Sequence, residues 1–355
     1  MGGTALKHLG FESRRNSKDE YFEIVKEIKS IWKQNFNSKC KDILHYSNKL
    51  DHGDIDFVAC TLRTDDLKEK IKEAFNCQYI SKNSYVYSFD YKNVQIDLAI
   101  LDNQYDFHSY YLFSCFSPVG NVIGRLIKQK GLKWGIRGLC YPVKLSDSEQ
   151  LGEIEISCQD DPFITFEKML EFLGMAHKFG DCFERFEGAF LNQSDIFEWL
   201  TSSKLFNKDI FAFENLNHVN RKRDRLRKDY HQWLEYIKDK PNKFVGNPDK
   251  SVYIKEISNF FDINLTSLIE QRIAKHQMEK FYKEKFNGKH LIQWGITDGK
   301  KIGECIAEFK SYITNGVDKD FVDKKFKDYI LLKDQQFIKE DFINWCKNYG
   351  NVLRV

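Results

Sequence analysis

The chain has 355 residues, of which 42% are hydrophobic and 30% are charged, and its formal net charge is +3. This length accommodates two or three domains, and the composition excludes a disordered, fibrous or collagen-like protein. Because the net charge is close to zero, overall charge does not indicate a nucleic-acid-binding protein, so any basic surface must come from local clusters.

The cysteines and the apolar segments restrict the compartment. Nine cysteines are scattered along the chain without a Cys-x-x-Cys pair, a pattern that predicts reduced thiols in an intracellular protein and argues against a disulfide scaffold or a zinc site. No stretch approaches the ~18 apolar residues of a membrane span, and no signal-peptide pattern opens the chain. We therefore expect a cytoplasmic protein with no membrane partner.

The chain opens with a glycine pair. Gly2 and Gly3, followed by Thr4, predict a turn that runs into a short helix over 4–10. Free backbone N–H groups at such a turn can hold phosphate oxygens. A longer helix is predicted over 19–36, where apolar residues recur at helical spacing.

Two acids open the next apolar run. Asp54 and Asp56 stand two residues apart, which places both side chains on one face of a β-strand and Ile55 and Phe57 on the other. Neighbouring carboxylates repel each other unless a cation lies between them, and Mg²⁺ prefers carboxylate oxygens together with substrate phosphates. The pair predicts a metal site. His52, just before it, is expected in a turn rather than as a ligand.

A third acid lies further along. After a predicted helix over 64–75 and a strand-like run over 84–89, Asp97 stands in the middle of the apolar run 93–101. A carboxylate in an apolar strand is costly unless it has a partner. The order of strand, helix and strand pair predicts a small mixed sheet whose acids lie on adjacent strands.

The glycine pair, the Asp-x-Asp strand and the later strand aspartate, in this order, resemble the nucleotidyltransferase superfamily that includes DNA polymerase β, poly(A) polymerases and CCA-adding tRNA nucleotidyltransferases. The resemblance implies an α+β protein. A catalytic head with a small mixed sheet would span 1–157, a helical body 158–245, and a helical, nucleic-acid-binding tail 246–355. In most relatives the glycines lie closer to the Asp-x-Asp strand than they do here.

The resemblance also implies a cofactor and substrates. Asp54, Asp56 and Asp97 would be the catalytic residues and would hold two Mg²⁺ or Mn²⁺ ions. The nucleotide would be an NTP, ATP or CTP, and the acceptor an RNA, with tRNA favoured and a role in tRNA processing. The residues expected to bind the nucleotide are Gly2, Gly3, Thr4, Lys49 and Arg125.

Arg125 belongs to a basic helix predicted after Ser117-Pro118, in which Gly124, Arg125 and Lys128 would face the nucleotide or an RNA backbone. The alternative is a solvated basic face. Further along, Asp161 and Pro162 predict the start of another helix. That helix loosely resembles one in CCA-adding enzymes but lacks their arginines, so base selection by that motif is not implied.

The densest basic cluster opens a helix predicted over 220–240. Arg221, Arg225 and Lys228 would share one face of it and contact the acceptor backbone, with Arg223 and Arg227 as the alternative stripe. Tyr230, His231 and Trp233 would be available for stacking. A salt-bridged solvated surface is the alternative. After a predicted linker over 241–250, residues 291–306 form a predicted helical hairpin that resembles the tail of CCA-adding enzymes. Its Lys300 and Lys301 are further candidates for nucleic-acid binding, although the pattern equally fits a helix-turn-helix packing joint.

Three functions remain open at this stage. The first is a metal-dependent nucleotidyltransferase that adds a nucleoside monophosphate to an RNA 3′ end and releases pyrophosphate. The second is a toxin or antiphage transferase that modifies tRNA or protein, because the Gly-Gly-Thr-Ala-Leu opening resembles abortive-infection nucleotidyltransferases. The third is a non-catalytic binding module. The tail favours the first, the missing arginines favour the second, and the presence of all three acids argues against the third.

Overall fold

The computed structural model describes residues 3–146, 149–175, 188–285 and 299–300. The chain divides into two compact units, one made of Met1–Pro142 with Gly152–Thr266 and the other of Val143–Leu151 with Ser267–Val355. The candidate site described below lies entirely in the first unit.

The elements are labelled in chain order. The strands are β1 (Asn16–Ser17), β2 (Cys40–Asp42), β3 (Asp51–His52), β4 (Ile55–Cys60), β5 (Ile80–Asn83), β6 (Val86–Tyr91), β7 (Val94–Leu101), β8 (Lys133–Gly135), β9 (Gly138–Lys144) and β10 (Gln150–Ile156). The helices are α1 (Lys18–Phe36), α2 (Leu67–Phe75), α3 (Gln104–Ser114), α4 (Val119–Lys128), α5 (Pro162–Phe172), α6 (Gln193–Ser202), α7 (His218–Asp224), α8 (Lys228–Ile237), α9 (Ile254–Phe261) and α10 (Leu265–Lys285).

The main sheet has five strands in the order β2-β4-β7-β6-β5, with β4 and β7 parallel and the other neighbours antiparallel. A smaller sheet has the order β10-β9-β8. Helices alternate with this mixed sheet and then dominate the rest of the described chain. The predicted α+β class is confirmed.

Helices α1 and α2 cover one face of the main sheet. Ile55 and Phe57 of β4 and Ile96 and Leu98 of β7 pack into the apolar core formed with these helices, and all four are at most 1% exposed. Because side chains alternate along a strand, the residues between them point to the other face. The apolar alternation therefore directs Asp56 and Asp97 to the side of the sheet away from this core.

Local signals explain where two helices begin. Ser17 and Glu20 form a reciprocal capping box at the start of α1, and the Asp161 side chain accepts from the N–H groups of Phe163 and Ile164 at the start of α5. The start of α5 is therefore confirmed. The sequence alone gives no prediction for α3, because its aromatic residues do not lie along one face of a helix. Helix α3 packs against β4 and β7 on the acidic side of the sheet.

The prediction of one helix over 220–240 is wrong in one respect, because the structure has two helices there with a break between them. Helix α7 ends at Asp224, and α8 begins at Lys228 after Arg227, whose backbone is extended (φ −96°, ψ 114°). Asp224 is 1% exposed and pairs with Arg125 and Arg223. Because Arg125 of α4 pairs with this buried carboxylate, the end of α7 is held against α4. The chain then turns before α8 begins.

Two further predictions concern cysteines and membranes. None of the cysteines within the described residues forms a disulfide. Among the helices of this part of the chain, none combines the length and the apolar character required to cross a membrane.

Candidate metal centre

Three carboxylates meet at one end of the parallel strand pair. Asp54 directly precedes β4, and Asp56 within β4 stands opposite Asp97 of β7 in the strand register. One oxygen from each of the three carboxylates lies within 4.8 Å of the others, and all three residues are half-buried. These are the acids that the sequence predicts as metal ligands.

The electrostatics of the cluster are unfavourable without a cation. Burial raises the pKa of Asp56 well above its usual range, and the charges of Asp54 and Asp97 raise it further. Burial also raises the pKa of Asp97, to about 6, and the charge of Asp54 acts in the same direction. A divalent cation would relieve this repulsion, and an all-carboxylate donor set suits hard ions such as Mg²⁺ and Mn²⁺. The residues therefore fit the metal that the sequence implies.

The glycine turn contacts the acids. The N–H of Gly3 donates a hydrogen bond to Oδ2 of Asp54 at 2.8 Å. Gly3 has a φ of +77°, and a Cβ at this position would lie 2.6 Å from the carbonyl oxygen of Gly53. Only glycine brings the backbone this close. In this structure the N–H of Gly3 is used by Asp54, so its phosphate-binding role stays a prediction.

The other residues predicted around the nucleotide differ in placement. Thr4 is exposed beside Gly3, while Gly2 lies outside the described residues. Lys49 is half-buried. Burial lowers the pKa of Lys49, whereas the neighbouring charges of Asp54 and Asp56 raise it. Lys49 is therefore close enough to the acids for its charge to interact with theirs, and its role in nucleotide binding stays a prediction.

Gln95 is a residue of this site that sequence reasoning missed. Its Nε2 donates to both carboxylate oxygens of Asp97, at 3.0 and 2.9 Å, and its Oε1 accepts from the N–H of Leu6 at 3.2 Å. Gln95 is 1% exposed. The spacing of two residues from Asp97, which places both on one face of β7, is the sequence signal that could have identified it.

Ser13 connects the same region to the Asp54 loop. Its Oγ donates to the carbonyl oxygen of Gly53 at 3.0 Å and accepts from the N–H of Gln95 at 2.9 Å. Ser88 of β6 stands opposite Asp97 and hydrogen-bonds its carboxylate, which opposes the rise in its pKa. The acids are therefore held by neighbours from the N-terminal segment and from two strands, β6 and β7.

His52 was expected in a turn, and this expectation is wrong. It lies in β3, paired with β1, is 3% exposed, and stacks on Tyr21 with ring centroids 4.0 Å apart. Burial lowers its pKa to about 4, so the ring is neutral at pH 7. The described carboxylate cluster does not include it.

Arg125 is engaged in a packed network. Its guanidinium donates to Asp224 and to the hydroxyl of Tyr230, and it lies over the Tyr230 ring at 4.8 Å. Asp224 and Tyr230 are 1% and 3% exposed. The network ties α4 to α7 and α8, and contact of Arg125 with a nucleotide stays a prediction.

The basic cluster is arranged differently from the prediction. Because α7 ends at Asp224, Arg221, Arg225 and Lys228 do not share one helical face. Arg221 donates to the carbonyl oxygens of Glu214 and Leu216, and the Arg225 guanidinium lies 5.9 Å from the Phe213 ring. Lys228 is exposed.

Two of the three ring side chains predicted to stack are not accessible, whereas His231 is exposed. Tyr230 is 3% exposed and Trp233 is 0% exposed, so neither can stack on a nucleotide. The residue of this segment that acts on the acids is Arg227, whose charge favours the ionised form of Asp56. Lys300 is exposed, and Lys301 with most of the predicted tail hairpin lies outside the described residues.

A scan against protein-family models and a search of curated proteins both find no match for this chain. The functional assignment therefore depends on the residues and their geometry.

Proposed function

We propose that this protein is a metal-dependent nucleotidyltransferase that transfers a nucleoside monophosphate from an NTP to the 3′ end of an RNA acceptor and releases pyrophosphate. The observation that carries the proposal is the convergence of Asp54, Asp56 and Asp97 at one end of two parallel strands. ATP and CTP are the favoured nucleotides, and tRNA is the favoured acceptor.

Asp54, Asp56 and Asp97 would hold two Mg²⁺ or Mn²⁺ ions. When bound, the ions would activate the attacking hydroxyl and neutralise charge on the transferred and leaving phosphates. The raised pKa values of Asp56 and Asp97 support this role, because they reflect a cluster of negative charge that the protein alone does not neutralise.

The chain's own residues supply orientation and proton transfer. Gln95 and Ser88 hold the Asp97 carboxylate, and Gly3 holds that of Asp54. Asp97 would contact the metal ion beside the 3′-hydroxyl and would accept, or orient the group that accepts, the proton of that hydroxyl. Lys49 and Arg227 bring positive charge to the acids and are placed to attract the triphosphate.

The test is label transfer from each α-³²P-labelled NTP in turn, with Mg²⁺ or Mn²⁺, to total RNA and separately to a protein extract. We expect label at RNA 3′ ends. The label should disappear when the acceptor RNA is first oxidised with periodate, which destroys its terminal diol, and also when Asp56 is changed to Asn. Asp65→Asn, an exposed acid outside the cluster, is the matched control. Label on protein would favour the toxin-type transferase.

Metal binding is measured independently of turnover. Tb³⁺ luminescence and its displacement by Mn²⁺ should reveal a site in the wild-type protein and in Asp65→Asn but not in Asp56→Asn. Transfer that persists in Asp56→Asn would refute the proposed function, as would metal binding unaffected by that substitution.

A further inference from the structure

A cavity of about 750 Å³ lies among α4, β8 and the segment 209–223, and none of the three acids lines it. Its lining includes five cationic residues and one acid, namely Arg125, Lys128, Lys133, Arg223, Lys250 and Asp209. The sequence places these residues over more than a hundred positions, so the folded chain alone creates the cluster.

The cations divide into two groups. Arg125 and Arg223 share the buried Asp224, and Lys133 pairs with Glu153. Two acids therefore balance these three cations, and the group leaves one positive charge at the cavity.

Asp209 of the lining offsets one positive charge, and the two cations still to be considered are Lys128 and Lys250. Neither has an acid partner within the part of the chain that the structure describes. Among the described residues, the Nζ of Lys250 donates to the carbonyl oxygens of Gln129 and Asn247, at 3.0 and 2.5 Å. Burial lowers the pKa of Lys250, and the charge of Lys128 lowers it further. Two like charges in one cavity are stabilised by an anion between or beside them.

The lining has polar groups beside the apolar Phe113, Trp134 and Leu216. Asn121 of α4 accepts from Arg223, and Gly124 of α4 also lines the cavity. Amide side chains and cations around a wide opening suit phosphate groups rather than an apolar ligand.

The segment 223–229 has one residue at the cavity and others whose charges act on Asp56 or Lys49. Arg223 lines the cavity, while Arg227, four residues further, acts on Asp56. Ser117, just before α4, donates to Asp229 at 2.5 Å, and the charge of Asp229 acts on Lys49 beside the acids. A ligand that extends along this segment would contact both places.

We propose that this cavity binds phosphodiester groups of the acceptor RNA upstream of its 3′ end. The inference rests on the proposed function, which places the triphosphate at the three acids. The cavity has no carboxylate cluster to hold a metal with a triphosphate, so the phosphates that it takes are those of the other substrate. A strand bound here reaches the acids along the segment 223–229.

The experiment measures binding of a single-stranded RNA 12-mer by fluorescence anisotropy, without NTP, over a range of salt concentrations. Lys128→Gln should weaken binding roughly fivefold, similarly for different sequences, and reduce the slope of log K against log salt by about 0.7. Lys26→Gln, an exposed lysine on α1, is the matched control and should change neither quantity. Binding of ATP with Mn²⁺ should be unchanged in both variants.

Equal RNA affinity and salt slope in the Lys128 and Lys26 variants would overturn the inference. A loss of affinity confined to ATP would also overturn it, because the cavity would then hold the phosphates of the nucleotide. The protein could bind RNA in a way that depends on Lys128 and yet transfer no label. That result would refute the proposed function but would still support RNA binding in the cavity. The two failures are therefore distinguishable.

Discussion

Replacing Asp97 by Asn should make the metal-free protein more stable at neutral pH. The side chain keeps its size and can still accept from Gln95, which donates to both oxygens of Asp97 in the wild type. The substitution removes a charge that burial and Asp54 disfavour. When a charge is unfavourable in the folded protein, removing that charge makes the folded protein more stable. The opposite holds for an acid whose charge is used in a salt bridge.

The magnitude follows from the raised pKa. A change from 3.8 to about 6 corresponds to about 3 kcal/mol at 1.36 kcal/mol per pKa unit. The folded-state pKa is raised, so the stability associated with the protonated form is fully present below pH 3.8 and is lost as the pH rises through about 6. The variant should therefore exceed the wild type by up to about 3 kcal/mol at pH 7.5, and the difference should vanish near pH 4.

The assay is urea unfolding in EDTA at pH 4, 5.5 and 7.5, followed by tryptophan fluorescence, since Trp32 is buried in the core behind the sheet. Asp65→Asn is the control for a general charge effect. Adding Mn²⁺ should stabilise the wild type and not the Asp97 variant. A variant that is no more stable than the wild type at pH 7.5 without metal would refute the idea that the three carboxylates repel each other.

Three other substitutions test the surroundings of the acids. Gln95→Met should lower the free energy of unfolding by about 1–3 kcal/mol, because it leaves the buried N–H of Leu6 without an acceptor. It should also weaken Mn²⁺ binding, because Asp97 loses the group that holds it. Gln104→Met, at an exposed position, should do neither in the same unfolding and luminescence assays. Gly3→Ala should destabilise the protein more than Gly10→Ala, since both have positive φ but only Gly3 has an atom within 4 Å of the added Cβ; equal losses by urea unfolding would contradict the close approach. Arg227→Ala should raise the KM for NTP without weakening Mn²⁺ binding, because it removes a positive charge near Asp56, and Arg225→Ala should leave the KM unchanged.

The sequence by itself determined the acidic face of the sheet. Alternation along 55–60 and 94–101 sends the larger apolar residues Ile55, Phe57, Ile96 and Leu98 into one core, so the carboxylates of Asp56 and Asp97 lie on the opposite face. This conclusion needs only the covalent geometry of a strand and the tendency of apolar side chains to be buried. The spacing of Asp54 and Asp56 places a third carboxylate beside them for the same local reason.

Only the tertiary structure decided which groups hold those carboxylates and where the basic cluster lies. Gly3 and Asp54 are 51 positions apart in the chain, and Leu6 and Gln95 are 89 apart. The break after Asp224 depends on Arg125, which lies 99 residues earlier, so helical periodicity within 220–240 could not reveal it. Periodicity reports which face of an element is buried, whereas a buried polar group is satisfied by whichever distant segment packs against it, and that choice is made by the fold as a whole.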